Sequence, residues 1–237
     1  MKFLEMFIED CKYYDGKNTE VKTIAQNINL KNKTLLDIGT GVGRLAFPLA
    51  KHAKEIIALD KDKRFKEYFR KHNNKKIKFA NQSIKEFSKK PKKFDVILIA
   101  WPTFDFKIIN HLKRLMHANS FLILITCDNN SDYETIVNKM GIVEKNYFDK
   151  DIKNKGKFLK RLPKIFKLIK KIKLKTFYMY PDKTTAFRII KNGLRLWFDI
   201  NLNKKSEERL VKLIDKHKKR DKVIFKEEVY FYMMKLK

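Results

Sequence analysis

Five short apolar runs stand along the first half of the chain, each followed by a longer stretch with helical spacing. Thr34–Ile38, Glu55–Leu59, Ile77–Ala80, Asp95–Ala100 and Phe121–Thr126 predict strands. Ile97, Leu98 and Ile99, and then Leu122 to Ile125, are continuous rather than alternating. Strands that are apolar on both faces are those covered by helices on both sides. The intervening stretches, near 44–54, 62–72, 84–89 and 105–116, read as helices; in the last, Phe106, Ile109 and Leu112 recur every three residues. Five β–α alternations predict a doubly wound, mostly parallel α/β sheet.

The flanks have a different pattern. Two helix-like pieces, near 3–13 and 19–28, precede the β–α unit and are parted by Asp15-Gly16. After it, Phe158, Leu162, Ile165, Phe166, Ile169 and Ile172 form an apolar stripe at helical spacing, with lysines on the remainder. Leu174–Tyr180 alternates, helices are expected near 183–193 and 204–219, and Val223–Leu236 is β-prone and aromatic. With no repeat and no Pro/Ser linker, the reading is a single domain over 1–237. It comprises an N-terminal helical lid (1–30), a core (31–143), a basic helical insertion (144–173) and closing strands and helices (174–237).

Charge changes the picture in one respect. Lys and Arg number 56 against 27 Asp and Glu, a net charge of +29. From Lys145 to Lys175 there are 13 Lys or Arg and only Asp149 and Asp151 to oppose them. Such a surplus suits an anionic partner. The scarcity of arginine, 9 of the 56, equally fits a general lysine enrichment. No apolar run approaches a membrane span, and the acids in Met1–Asp10 exclude a signal peptide there. Cys11 and Cys127 form neither a metal-spaced pair nor a disulfide framework, so a cytoplasmic protein without a metal is expected.

The chemistry concentrates at the strand ends. Asp37-Ile38-Gly39-Thr40-Gly41-Val42-Gly43-Arg44 joins the first strand to a helix. Glycines there let a ligand approach the backbone where helix N–H groups point. The spacing G-x-G-x-G, preceded by an acid, departs from the G-x-G-x-x-G of dinucleotide loops and suits a ligand with an ammonium group and no pyrophosphate. Asp60 ends the second strand, where a carboxylate can accept two hydrogen bonds from vicinal ribose hydroxyls. Over residues 30–127 this pattern resembles the class I (Rossmann-like) S-adenosylmethionine-dependent methyltransferases. Glu227–Tyr232 looks like that family's closing strand pair.

The resemblance implies a seven-stranded sheet and S-adenosylmethionine as cofactor. The implied cofactor residues are Asp37, Gly39, Thr40, Gly41, Gly43, Asp60, Lys61, Ser83, Ile84, Ala100 and Trp101. Ser83 stands where the family usually has an acid on the adenine amine, and with Glu86 it also makes a helix capping box. Ala100-Trp101-Pro102-Thr103 replaces the Asn/Asp/Ser-Pro-Pro-aromatic run of enzymes that methylate exocyclic base amines. Trp101 offers instead a wall, or an aromatic face for the sulfonium. Tyr13, Tyr14, Trp101, Pro102 and Asp105 are the candidate substrate residues. Methyl transfer from a sulfonium needs no proton on the leaving group, so no catalytic residue is assigned. The expected acceptor is a small molecule or a protein side chain. RNA is the alternative on charge, and a catalytically idle binding protein of the same fold is the rival from another class. The basic insertion is expected to be a lid with a solvated lysine face.

Overall fold

The computed structural model describes residues 2–89, 92–102, 107–127, 131–141 and 146–237, with backbone only for 146–152. In chain order the elements are α1 (Phe3–Tyr13), α2 (Thr19–Asn27), β1 (Thr34–Ile38), α3 (Ala46–Leu49), β2 (Glu55–Asp60), α4 (Arg64–Lys71), β3 (Ile77–Asn81), α5 (Ile84–Phe87) and β4 (Phe94–Ala100). There follow α6 (Ile108–Arg114), β5 (Met116–Cys127), α7 (Asp132–Met140), α8 (Asn146–Ile165), β6 (Phe166–Tyr180), α9 (Lys183–Phe198), α10 (Lys204–Asp215), β7 (Lys218–Lys219) and β8 (Lys222–Leu236).

The strand order is β3-β2-β1-β4-β5-β8-β6, with β7 paired to β8. β3, β2, β1, β4 and β5 are parallel. The apolar runs make them so, since Leu35, Leu36, Ile56, Val96, Ile97, Leu98 and Ile123 are wholly buried between covering layers. The order reverses between β1 and β4, and in open α/β sheets that crevice at the strands' carboxyl ends is where ligands bind.

The chain forms two compact units rather than one. One comprises Glu20–Thr126, Lys150–Lys173 and Tyr230–Lys237. Its core joins Leu36, Leu59, Ile97, Leu112 and Leu124 to Phe158, Leu162, Phe166 and Met234. The other comprises Met1–Thr19, Cys127–Asp149 and Leu174–Val229, with a core around Val137, Tyr180, Ile190, Leu210 and Phe225.

Three expectations need correction. First, the basic segment is not one helix to residue 173: α8 stops at Ile165 and Phe166 opens a strand. Pro163 lies near the end of α8; it has no N–H for the preceding turn and its ring crowds that turn's carbonyl. The β-branched Ile165, Ile169 and Ile172 then favour extended backbone. The stripe is accordingly split, with Phe158, Leu162 and Phe166 buried while Ile169 is 43% exposed. Second, residues 1–30 are not one piece: α1 falls in the unit that contains Met1–Thr19, whereas α2, with Glu20, Val21 and Ile24 buried, falls almost wholly in the first-described unit. Third, the helix expected near 44–54 is regular only over Ala46–Leu49, because Pro48 has no N–H to bond the carbonyl of residue 44. A further helix, α7, is marked by plain local signals. Ser131 Oγ accepts from the Glu134 N–H at 2.9 Å and Gly141 closes the helix at φ +64°.

Candidate functional site

Registry brings the predicted residues to one edge of the sheet. Ile38 of β1 pairs with Leu59 of β2 and with Ile99 of β4, so the glycine loop, Asp60 and Ala100 leave neighbouring strand ends together. Asp60 in turn pairs with Asn81 of β3, which leads to Ser83.

Gly39, Gly41 and Gly43 all have positive φ, at +75°, +56° and +72°. That backbone is costly for a side chain with Cβ. The loop is held from below by Gly39 N–H and Thr40 N–H, which donate to the Leu59 carbonyl at 2.8 and 3.2 Å. The glycines differ in surroundings. A Cβ on Gly43 would sit 2.8 Å from the Phe47 and Phe69 rings, so this residue answers to packing. A Cβ on Gly39 would meet nothing within 4 Å, which leaves open space along the loop at that point.

Two acids frame the loop. Asp37 is buried, and Thr40 Oγ1 donates to its Oδ2 at 2.7 Å. Burial raises its pKa to about 6, a shift the Thr40 bond and the Arg44 charge only partly offset. Asp60 is half-buried. Its Oδ2 accepts from Gly41 N–H at 3.0 Å and its Oδ1 from Asp62 N–H at 2.9 Å. Each oxygen keeps acceptor capacity beyond these bonds.

Beyond β3, Ser83 N-caps α5. Its Oγ donates to Glu86 Oε2 at 2.8 Å and accepts from Glu86 N–H at 3.2 Å, and its own backbone N–H donates to Glu86 Oε2 at 3.1 Å, which completes the capping box. The hydroxyl is thus engaged within its own turn. Ile84 is half-buried against the core, and Lys61 is exposed.

Beyond β4, Trp101 takes a left-handed conformation, φ +53°, with its N–H on the Ile125 carbonyl at 2.9 Å. Its indole Nε1–H donates to Glu20 Oε1 at 2.9 Å. Glu20 Oε2 pairs with the Arg44 guanidinium at 2.6 Å. One fully buried carboxylate on α2 therefore ties the loop after β1 to the loop after β4. Sequence reasoning missed Glu20. Its local signal, an acid in the first turn of a helix, marks only a favourable dipole position.

The remaining substrate candidates are Tyr13, Tyr14, Pro102 and Asp105. Tyr13 packs on Tyr180 with ring centroids 5.5 Å apart. Tyr14 is buried, and its hydroxyl shares a 2.9 Å hydrogen bond with Thr176 Oγ1. Both tyrosines are thus engaged in packing within the second-described unit. Pro102 is half-buried. Asp105 lies outside the described residues. Among the described residues no cluster of His, Cys, Asp or Glu is arranged to hold a metal, and no helix is long and apolar enough to cross a membrane.

Comparison with known proteins adds independent findings. A family model described as a methyltransferase domain matches residues 29–197, more than two thirds of the chain. A curated relative, the probable ribosomal RNA small subunit methyltransferase A of Methanosphaera stadtmanae, is 31% identical over 96 residues. That match covers 40% of this chain and 32% of the relative, so the chain spans about a third of the relative's length. Among solved structures, a candidate methyltransferase from Bacillus halodurans is 13% identical with a TM-score of 0.59, over 93% of this chain and 99% of that one. A candidate type II methyltransferase from Anaeromyxobacter dehalogenans is 12% identical with a TM-score of 0.63, over 90% of this chain and 94% of that one. At these identities the likeness is one of fold.

Proposed function

The chain belongs to the methyltransferase-domain family, and from that premise we propose which of its residues serve the reaction. It is an S-adenosylmethionine-dependent methyltransferase of α/β fold, so the question is how these side chains hold the cofactor and admit an acceptor. When bound, the cofactor would supply an electrophilic methyl group on a sulfonium, and the residues below would hold it for an acceptor's electron pair.

The observation that carries the reading is the tie between Asp60 and Gly41 at the switch point of the sheet. It sets a ribose-binding carboxylate against a backbone turn with no side chain in the way. Gly39, Thr40, Gly41 and Gly43 shape the turn for the methionine moiety, and the buried Asp37 receives its ammonium group. Lys61, beside Asp60, lies along the ribose edge. Ser83 and Ile84 border the adenine, with the Ile84 N–H rather than the Ser83 hydroxyl as donor, because that hydroxyl is engaged with Glu86. Ala100 and Trp101 wall the methyl end, with Pro102 beside them. Alignment and exclusion of water supply the catalysis, and no general base is assigned.

The ribose assignment has a direct test. Asp60→Ala should weaken S-adenosylhomocysteine binding by about 1.5–3 kcal/mol, the range for hydrogen bonds to a charged group. Asp62→Ala is the control, since Asp60 Oδ1 bonds the backbone of residue 62 and not its side chain. Equal losses in the two variants, read by calorimetry, would reduce Asp60 to a surface acid.

Asp37 adds a pH signature. Its raised pKa means the native state holds the proton in a window from the ordinary 3.8 to about 6. The stability this contributes is full below the lower value and lost as pH rises through the upper one. A bound ammonium group favours the carboxylate, so binding should expel a proton near pH 6 and tighten from pH 5 to 7. Calorimetry near pH 6 in buffers of different ionisation enthalpy should show that proton, and no proton at all would remove the ammonium from Asp37.

For the acceptor, a small molecule or protein side chain needs only the space beside Trp101, whereas RNA needs a cationic docking surface too. The Methanosphaera relative is by name a ribosomal RNA methyltransferase. This chain carries a tract of the required charge, and RNA is the reading we favour.

A further inference from the structure

Charge is distributed unevenly over the unit that carries the glycine loop. Its later segments, Lys150–Lys173 and Tyr230–Lys237, hold 13 Lys or Arg and one acid, Asp151. At the chain's own frequency of acids, 27 in 237, roughly three to four would be expected in that length. A general enrichment in lysine raises the cations everywhere but does not thin the acids in one place.

The fold gathers much of this charge around one sheet margin. β6 is the outermost strand, next to β8. On it Lys167, Lys170, Lys171 and Lys173 are exposed, as are Lys160 and Lys164 on α8. Lys171 Nζ lies 4.4 Å from the centre of the Tyr230 ring and 5.5 Å from that of Tyr232; Lys173 Nζ is 6.0 Å from Tyr230. Both tyrosines are half-buried, so part of each ring reaches the surface with lysines against it. Among the described residues, Lys164, Lys167 and Lys171 have no acidic partner.

We propose that this lysine–tyrosine margin, Phe166–Lys173 of β6 with Tyr230–Leu236 of β8, binds single-stranded RNA; as a docking surface for the methyl acceptor it rests on the reading above. Aromatic rings that accept stacked bases, interleaved with cations that track the phosphates, are the combination that holds a single strand without reading its sequence. A base can replace a lysine ammonium on Tyr230 while that ammonium moves to a phosphate. Lysines on an edge strand also discourage strand-to-strand pairing, and Leu168, 52% exposed, gives β6 a reason to need them. That purpose accounts for the lysines of β6 alone. It leaves Lys160 and Lys164 on the helix unaccounted for. From β6 to β1 is four strand spacings, about 19 Å at ~4.8 Å each, so a strand docked here must extend across the sheet to reach the methyl group.

The test is anisotropy with fluorescein-labelled oligouridine, the RNA as single strand and as duplex with oligoadenosine, and calorimetry of S-adenosylhomocysteine on the same samples. The wild type should bind the single strand with an affinity that falls steeply with salt. Combined Lys164→Glu, Lys167→Glu and Lys171→Glu should lower it about tenfold or more at low salt and flatten the log–log salt slope by about 2, ~0.7 for each lost phosphate contact. Tyr230→Leu should cost about fivefold or more with the slope unchanged, as for a lost stacking partner. S-Adenosylhomocysteine binding should be retained in both, which separates failure of this surface from failure of the cofactor site. Should the charge reversals prevent folding, the three Lys→Gln changes should give the same direction at smaller size. An effect of the triple change within twofold would overturn the proposal and leave the lysines as edge guards. So would duplex binding as tight as single-strand binding, or binding to phosphatidylserine vesicles without binding to RNA.

Discussion

Gly41→Val should abolish detectable S-adenosylhomocysteine binding while the protein still melts cooperatively. Gly41 sits at φ +56° and its N–H is committed to Asp60. A β-branched residue in the left-handed region costs about 1–3 kcal/mol of backbone strain. The loop can relieve that strain by turning the peptide, and doing so breaks the bond to Asp60. Either way the site loses: the isopropyl group fills the approach to the loop, or the carboxylate is released from its place. A loss of at least about a hundredfold is expected, ~2.8 kcal/mol at ~1.4 kcal/mol per decade. Unchanged affinity in a folded variant would rule out the loop as the methionine subsite. Gly43→Val is an informative companion. Its Cβ would strike Phe47 and Phe69 at 2.8 Å, so its chief loss should be in stability rather than in binding.

Glu20→Ala should be the most damaging single change to stability in the unit that carries the site. The carboxylate is fully buried and holds two groups at once, the Arg44 guanidinium and the Trp101 indole N–H. Removing one partner of a buried pair costs about 3–5 kcal/mol, because the other charge stays desolvated. Arg44 retains 22% side-chain exposure, so water can reach it and the lower end, about 3 kcal/mol, is expected. That corresponds to a fall in Tm of roughly 6–12 °C for a chain of this size. Glu20→Gln should cost less, since its amide oxygen still accepts from Trp101. In a Trp197→Phe background, which leaves Trp101 as the only indole, Glu20→Ala should also shift the emission maximum as the ring is released. A melting temperature within 2 °C of the parent would mean that α2 merely rests on the two loops.

The parallel strands were legible because their evidence is local. A strand buried on both faces must be apolar at every position, and Leu35–Leu36, Ile56–Ile57 and Ile97–Ile99 declare this within three or four letters. The glycine loop was legible for a similar reason, since only glycine occupies three positive-φ positions in five residues cheaply. Alternation then implied parallel connections, and these bring the ends of β1, β2 and β4 together whatever the side chains do between them. From one string of letters the fold class follows, and the resemblance carried by the glycine loop and Asp60 implies the candidate cofactor residues.

What the string could not decide is which distant groups meet. Glu20 and Trp101 are 81 residues apart, and Tyr14 and Thr176 are 162 apart. Each is locally an ordinary helix or loop residue, and only the packed structure makes one a buried tie and the other a structural phenol. The same limit explains the helix read past Ile165. A stripe at helical spacing continued to Ile172, but residues from Phe166 onward found a neighbouring strand, β8, to pair with. Local periodicity states which face of a segment seeks burial. Whether that face is met by a helix, a strand, or solvent is set by long-range hydrogen bonding and packing, and these exist only once the chain has folded.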